Sequence, residues 1–370
     1  MIIGVPKEIK SGEHRVGLTP ASVAELHRHG HQVLVQAHAG DSIDLDNQRY
    51  QLAGAEIVQT AGEVFDRADL VVKVKEPLDS ELDLLRPGQA LFTYLHLAPA
   101  KTLTERLVAT GATAIAYETV TDRHGNLPLL TPMSQIAGRM SVQAGAHCLE
   151  LAQQGRGILL GGIPGTAPAS VVVLGGGIVG SNAARIALGM GADVTVVNRS
   201  LEKLTKLDAL FGPAMHTAFS SAQAIEELVL AADIVIGAAL VPGGAAPKLV
   251  SGKLVESMRR GAVLVDVSID QGGCFETSRP TTHAEPTYLE HDVVHYCVAN
   301  MPGAVARTSA TALNHATLPF VLALANQGVQ AALQSDPHLR QGLNVHAGKV
   351  TYQAVAEATG HEYVDAEALL

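Results

Sequence analysis

Val171-Val172-Val173-Leu174-Gly175-Gly176-Gly177-Ile178-Val179-Gly180 decides how this chain folds. The apolar run ahead of the glycines reads as a buried parallel strand. Behind them, 181–190 is an Ala-rich helical stretch, and Gly191 leads into a second strand at 193–197. Strand, turn, helix and strand in that order make a βαβ unit, and Gly175, Gly177 and Gly180 supply its G-x-G-x-x-G turn. Glycine lets backbone approach a pyrophosphate, and the helix start offers free N–H groups and the positive end of the helix dipole. A glycine-rich corner that binds nothing would not need the whole frame. The stretch therefore predicts a dinucleotide site, with Gly175, Gly177 and Gly180 at the phosphates.

Working outward, short strands are expected at Ile2–Val5, Gln32–Gln36, 69–75, 90–94 and 114–118, with helices at 21–29 and 99–109. A long helix at 133–153 ends at Gly155 and Gly157, and further strands follow at 234–238 and 263–267. After Asn300-Met301-Pro302-Gly303 the pattern turns helical again over 308–333. Such alternation implies mostly parallel sheets with helices on both faces. The expected architecture is α/β: two Rossmann-like domains with a cleft between them. The first spans 1–130 and is completed by a helical C-terminal part, 301–370; the dinucleotide-binding domain spans 131–300.

Composition narrows the function classes. At 370 residues the chain is too long for one ordinary core, and 47% hydrophobic with 17% charged residues describes a globular protein. A net charge of −10 disfavours a general nucleic-acid binder, which would carry a basic face. Met1 to Glu8 has no signal-peptide h-region, and no apolar run approaches the ~20 residues of a membrane span. Cys148, Cys274 and Cys297 are widely spaced and odd in number, which suits a reducing cytoplasm and excludes a cysteine zinc site. The 16 histidines show no H-x-x-H or H-E-x-x-H spacing, so no metal is expected.

Ligands of open α/β sheets bind beyond the carboxyl ends of the strands. Several reactive side chains fall at such ends: Lys73 and Lys75 before Pro77, His96 after Leu95, Glu118 after Tyr117, and Asp270 before Gln271-Gly272-Gly273. Period-2 alternation predicts Lys73 and Lys75 on one strand face. Any one strand-end Lys or Glu is ordinarily a solvated charge; four such ends distinguish this chain.

The sequence resembles the L-alanine dehydrogenases and the related transhydrogenase α subunits. The resemblance rests on Gly4-Val5-Pro6-Lys7-Glu8, Glu13-His14-Arg15-Val16 and Thr19-Pro20, with departures at Gly12 and Gly17. It continues in Lys73 to Pro77, Leu95-His96-Leu97, Ile115 to Thr119, Leu129 to Met133, Val265-Asp266, Asp270 to Cys274 and Val298 to Pro302. It implies reversible oxidative deamination of L-alanine to pyruvate and ammonium, with hydride transfer to NAD. Arg15 and Lys75 would hold the substrate carboxylate, Arg15 through its planar fork, with Glu118 beside them. His96 would be the base, since histidine titrates in the working range, and Asp270 the second essential residue. The resemblance also implies cofactor contacts at Ser134, Ile178, Val179, Asn198, Arg199, Lys203, Ser220, Ala239 and Leu240. The segment Val267, Ser268, Ile269 and Asp270, and then Arg279, Val298, Ala299, Asn300 and Met301, complete them. Asn198-Arg199 stands where the family places an acid, so use of NADP is also expected. A cytoplasmic homohexamer acting on small molecules, with no nucleic-acid or membrane partner, is the implied setting. Two other readings are an NAD-binding hydride-exchange module, which would not need Lys75 and His96, and a nucleotide sensor, which would not need a base.

Overall fold

Short runs of branched residues build the first sheet. β1 (Ile2–Val5), β2 (Gln32–Gln36), β3 (Glu56–Val58), β4 (Leu70–Val72), β5 (Ala90–Thr93) and β6 (Thr113–Ala116) run parallel wherever they pair. Helices lie between them; that at Pro20–Arg28 starts with a proline in its first turn and a capping hydroxyl from Thr19. The computed structural model describes residues 1–239 and 246–370.

The second sheet follows the glycine turn. It comprises β7 (Ser170–Leu174), β8 (Asp193–Asn198), β9 (His216–Phe219), β10 (Ile234–Gly237), β11 (Val263–Asp266), β12 (Thr287–Glu290) and β13 (Val293–Tyr296). Their order is β12-β13-β11-β10-β7-β8-β9, with β12 alone antiparallel to its neighbour. The order reverses between β7 and β10, the switch point at which such sheets bind ligands.

The chain then returns to the first sheet. β14 (Leu343–His346) pairs antiparallel to β6, and β15 (Lys349–Val350) to β14, giving the order β15-β14-β6-β5-β4-β1-β2-β3. Here the switch point lies between β1 and β4. Alternation divides the core across the sheet: Leu70, Val72, Phe92 and Ile115 pack with the helix Ala306–Gln327 on one face, while Val71, Leu91, Ala114 and Ala116 face the other way. The two compact units are 1–133 with 305–370, and 134–304.

Several expected elements are shorter than their apolar patterns. The strand expected at 69–75 ends at Val72, because Val74 gives its N–H to the Glu8 carboxylate at 2.6 Å instead of to a neighbouring strand. The paired strand thus stops short of both lysines: Lys73 is fully buried and Lys75 half-buried beyond it, while Val74 still packs in the same core cluster as Leu70 and Val72. The strand at 114–118 stops at Ala116, and Tyr117–Thr119 turns as a 3-10 segment. The helix at 308–333 is two, Ala306–Gln327 and Val329–Ser335, broken where Gly328 takes a φ of +85°. Six short strands, among them β3, β9 and β12, carry too little pattern to stand out in the sequence.

Candidate functional site

In the first unit the chemistry-bearing side chains gather past the carboxyl ends of β1, β4, β5 and β6, which are neighbours in the sheet. Arg15 lies on the long connection after β1. Gly17 brings that segment down onto the end of β4, where a Cβ would meet the Val72 carbonyl oxygen at 2.1 Å. Arg15 is 2% exposed, and Glu13 clamps it: Nε donates to Oε1 at 2.7 Å and Nη2 to Oε2 at 2.5 Å. Nη1 meets the Met133 sulfur at 3.1 Å. Burial alone would lower the guanidinium pKa, but the Glu13 bonds outweigh it and hold the charge. The Nε–Nη2 fork is therefore engaged within the protein.

Lys75 is its counterpart. The ammonium has no hydrogen bond or ion pair among the described residues, and burial, reinforced by the charge of Arg15, pushes it below the usual lysine range. Two residues earlier, Lys73 lies between Glu81 at 2.6 Å and Glu8 at 3.1 Å. Burial opposes the charge on Lys73, but the two carboxylates overcome it and raise the pKa. Burial, with Glu81 adding to it, pushes the Glu8 carboxyl up. This triad anchors the turn that carries Lys75, since Glu8 also accepts the Val74 N–H.

His96 follows β5 at a φ of +49°, a conformation uncommon outside glycine though better tolerated by histidine than by branched residues. Its ring is exposed and stacks on Tyr94, with centroids 5.9 Å apart and planes 12° apart. The Tyr94 hydroxyl donates to the Leu129 carbonyl at 2.6 Å. Glu118 holds the strained turn: its carboxylate accepts the Leu95 N–H at 3.1 Å and the His96 N–H at 2.6 Å. It lies 4.0 Å from His96 Nδ1. Glu118 thus grips the histidine loop instead of standing open toward a substrate.

The second unit offers backbone in place of charge. Gly175 sits at φ +117°, and a Cβ there would fall 2.5 Å from the Ala238 carbonyl oxygen. A Cβ at Gly180 would fall 1.8 Å from the Gly175 oxygen, so both glycines are required by the turn itself. Gly177 differs: nothing lies within 4 Å of where its Cβ would be. It caps the helix Ile178–Gly189 with no side chain bonding the first-turn amides. Open space above a glycine and uncapped amides at a helix start are what a dinucleotide pyrophosphate requires, so the residues fit that group.

Most expected cofactor contacts cluster there. Asn198, Ser220, Ala239, the run Val267, Ser268, Ile269 and Asp270, and the run Val298, Ala299 and Asn300 each follow the carboxyl end of β8, β9, β10, β11 or β13. The Ser220 N–H donates to the Asn198 carbonyl at 3.1 Å, and Ser268 Oγ to the Ala239 carbonyl at 2.8 Å. Asp270 is exposed on a 3-10 turn. Buried Asp266 organises the loop below it, accepting the Ser268 and Cys274 N–H groups at 3.1 and 2.8 Å and the Ser278 hydroxyl at 2.5 Å. Asn300 takes φ +58° ahead of the 3-10 segment containing Met301, while Arg199 and Lys203 are exposed beside Asn198. Ser134 lies on the helix Thr131–Cys148, which packs at Gly138 against Val179 of the helix after the glycine turn, and Arg279 stacks on the Tyr288 ring at 4.0 Å. Leu240 lies outside the described residues. Sequence reading gave no role to Glu8, Glu13, Tyr94 or Asp266; the signal present was that the first two share the quoted N-terminal motif with Arg15.

Two mostly parallel sheets, a glycine cradle and a carboxylate-clamped cationic site fit a nucleotide-dependent oxidoreductase of the α/β class. The chain belongs to the alanine dehydrogenase/PNT family: the N-terminal domain model matches 4–137 and the C-terminal domain model 141–353. It is 59% identical to the alanine dehydrogenase of Halomonas elongata and 52% identical to that of Mycobacterium tuberculosis H37Rv, each over the full length of both chains. A solved L-alanine dehydrogenase structure superposes with a TM-score of 0.95 at 53% identity, covering 97% of this chain and 99% of the other. A transhydrogenase from Sinorhizobium meliloti superposes with a TM-score of 0.81 at 24% identity, covering 96% of this chain and all of the other; it shares the fold.

Proposed function

We propose that the chain is an NAD-dependent L-alanine dehydrogenase, interconverting L-alanine and water with pyruvate and ammonium. The observation that carries the reading is the pair of cations past β1 and β4: a guanidinium clamped by Glu13 beside the partnerless ammonium of Lys75, a receptor for a small carboxylate. NAD held at the glycine turn would supply the acceptor for the hydride of the alanine Cα, and its reduced form the hydride for reductive amination. Arg15 and Lys75 hold the carboxylate, and Lys75 polarises the carbonyl of pyruvate in the reverse direction. His96 takes the ammonium proton and passes it to solvent, so that the neutral amine can lose hydride from Cα and become the iminium. As the free base again it takes a proton from the attacking water, giving the carbinolamine, and returns that proton to the nitrogen, which departs with the hydroxyl proton as ammonium. Asp270 orients the water or the amine beside the nicotinamide, and Glu118 acts through the backbone of His96. Gly175, Gly177 and Gly180 receive the pyrophosphate.

Likeness to alanine dehydrogenases at 51–59% identity over nearly the whole of both chains favours this over the hydride-exchange module, since the transhydrogenase structure shares the fold alone. A homohexamer in the cytoplasm is the assembly and setting we infer from the family resemblance. Among the described residues no single helix is long and apolar enough to cross a membrane. The test is near-ultraviolet absorbance of purified protein with L-alanine and NAD, and with pyruvate, ammonium and NADH in reverse. Turnover in both directions is expected. A folded sample that binds NADH yet turns over neither way would overturn the dehydrogenase reading.

A further inference from the structure

A Rossmann unit that selects NAD places an acid at the end of its second strand, where it holds the ribose hydroxyls and repels a 2′-phosphate. Here that position is Asn198, at the end of β8, and the structure shows how its carboxamide is used. Oδ1 accepts the Gly176 N–H at 3.1 Å, tying the strand end to the glycine turn. Nδ2 donates to the Ser200 carbonyl at 3.3 Å. In an aspartate at this place one oxygen could keep the Gly176 bond while the other carried charge toward the ribose. In Asn198 the second atom is an amide nitrogen with a further hydrogen to give.

The surroundings are basic. Arg199 and Lys203 flank Asn198, both exposed, and neither side chain makes an ion pair or hydrogen bond among the described residues. The one carboxylate in the stretch 198–203 is Glu202, and Lys206 holds it at 2.6 Å. The end of β8 thus presents two cations without partners, an amide donor, and no free carboxylate of its own.

We infer that this strand end receives a ribose 2′-phosphate, so that the chain binds phosphorylated as well as unphosphorylated nicotinamide dinucleotides. Arg199 supplies the main charge, Lys203 a second, and Asn198 orients the loop without repelling the phosphate. The inference rests on the dinucleotide reading of the glycine cradle and extends it to the class of cofactor accepted.

The test is direct binding of NADH and NADPH to the full chain, followed by nucleotide fluorescence. NADPH is expected to bind within about tenfold of NADH, and its affinity to fall more steeply with added salt. Asn198→Asp should raise the ratio of the NADPH to the NADH dissociation constant at least about tenfold, and Arg199→Ala by a similar factor. NADH binding with NADPH more than about a hundredfold weaker would overturn the 2′-phosphate site and leave the cradle intact. A ratio that neither substitution moves would overturn it as well. Binding of neither nucleotide by a chain with native circular dichroism would overturn the dinucleotide reading on which it rests.

Discussion

In the first unit, cations and acid–base groups are held by carboxylates: Arg15 by Glu13, Lys73 by Glu8 and Glu81, the His96 turn by Glu118. In the second, the cradle past β7 is glycine and backbone amide, with Gly177 opening onto empty space. The difference follows from ligand size and charge. A three-carbon acid offers few contacts, so each must be a strong, fixed charge, and a long flexible cation is fixed only by a partner. A dinucleotide presents a long phosphate bridge that many weak amide bonds can share, provided that no side chain keeps it away.

If the clamps are what fix the first unit, cutting the most buried one should cost most. Lys73→Met leaves Glu8 and Glu81 facing one another without their cation, and a destabilisation of about 3–5 kcal/mol is expected in denaturant melts. Burial already raises Glu8, and without Lys73 its folded-state pKa rises further. A raised carboxyl pKa means that the folded state binds more protons, so the variant should regain stability as pH falls toward 5 and lose it as pH rises. A melt as stable as wild type at neutral pH would break the comparison, because it would leave the carboxylates without a clamping role.

Lys75, the cation left without a partner, sharpens the contrast from the ligand side. Lys75→Ala should lower kcat/KM for pyruvate by roughly a hundred- to a thousandfold with little change in the NADH dissociation constant. Burial and the charge of Arg15 lower the pKa of its ammonium, so affinity for a non-reacting carboxylate analogue should be greatest on the acid side of that pKa. It should then fall as pH rises through a pKa below the usual ~10.4 of lysine. Lys75→Arg should carry that fall to higher pH; an unchanged profile would mean that another group sets it.

Glu118 tests whether a clamp can act on chemistry alone. Glu118→Ala frees the Leu95 and His96 amides and lets the φ +49° turn relax, moving the imidazole. A fall in kcat of about a hundredfold, with KM for pyruvate changed less than about threefold, is the expected split, and Glu118→Gln should recover part of it. Equal losses in kcat and 1/KM would instead place the carboxylate at the substrate.

How much of this the sequence discloses differs between the units for the same physical reason. Gly175, Gly177 and Gly180 are legible because their requirement is local: a turn of fixed length between strand and helix. Arg15, Lys75 and His96 are legible by family resemblance and by their places at strand ends. Their clamps are not, because the partners lie far along the chain: Glu118 is 22 residues from the amide that it accepts, and Glu8 is 65 from Lys73. Glu13 is the instructive exception, two residues from Arg15 and part of the same motif, yet nothing local says that an acid so close will take the guanidinium fork. The strand at 69–75 is shorter than its apolar run because nothing local shows that Glu8 takes the Val74 amide.

The smallest effect probes the cradle itself. At Gly180 an added Cβ would strike the Gly175 oxygen at 1.8 Å, so substitution there confounds folding with binding. Gly177 separates them: its backbone sits at φ −81°, and a Cβ would meet nothing within 4 Å. Gly177→Ala should therefore melt within about 1 kcal/mol of wild type. The methyl group would nevertheless stand in the space through which the pyrophosphate reaches the helix amides. A weakening of NADH and NADPH by about tenfold each, with their ratio unchanged, is expected. That common loss would set the phosphate cradle apart from the strand end at Asn198, where substitution should move the ratio. A loss confined to NADPH would mean that the two positions read the same phosphate, and that backbone and side-chain recognition are not separated in this unit.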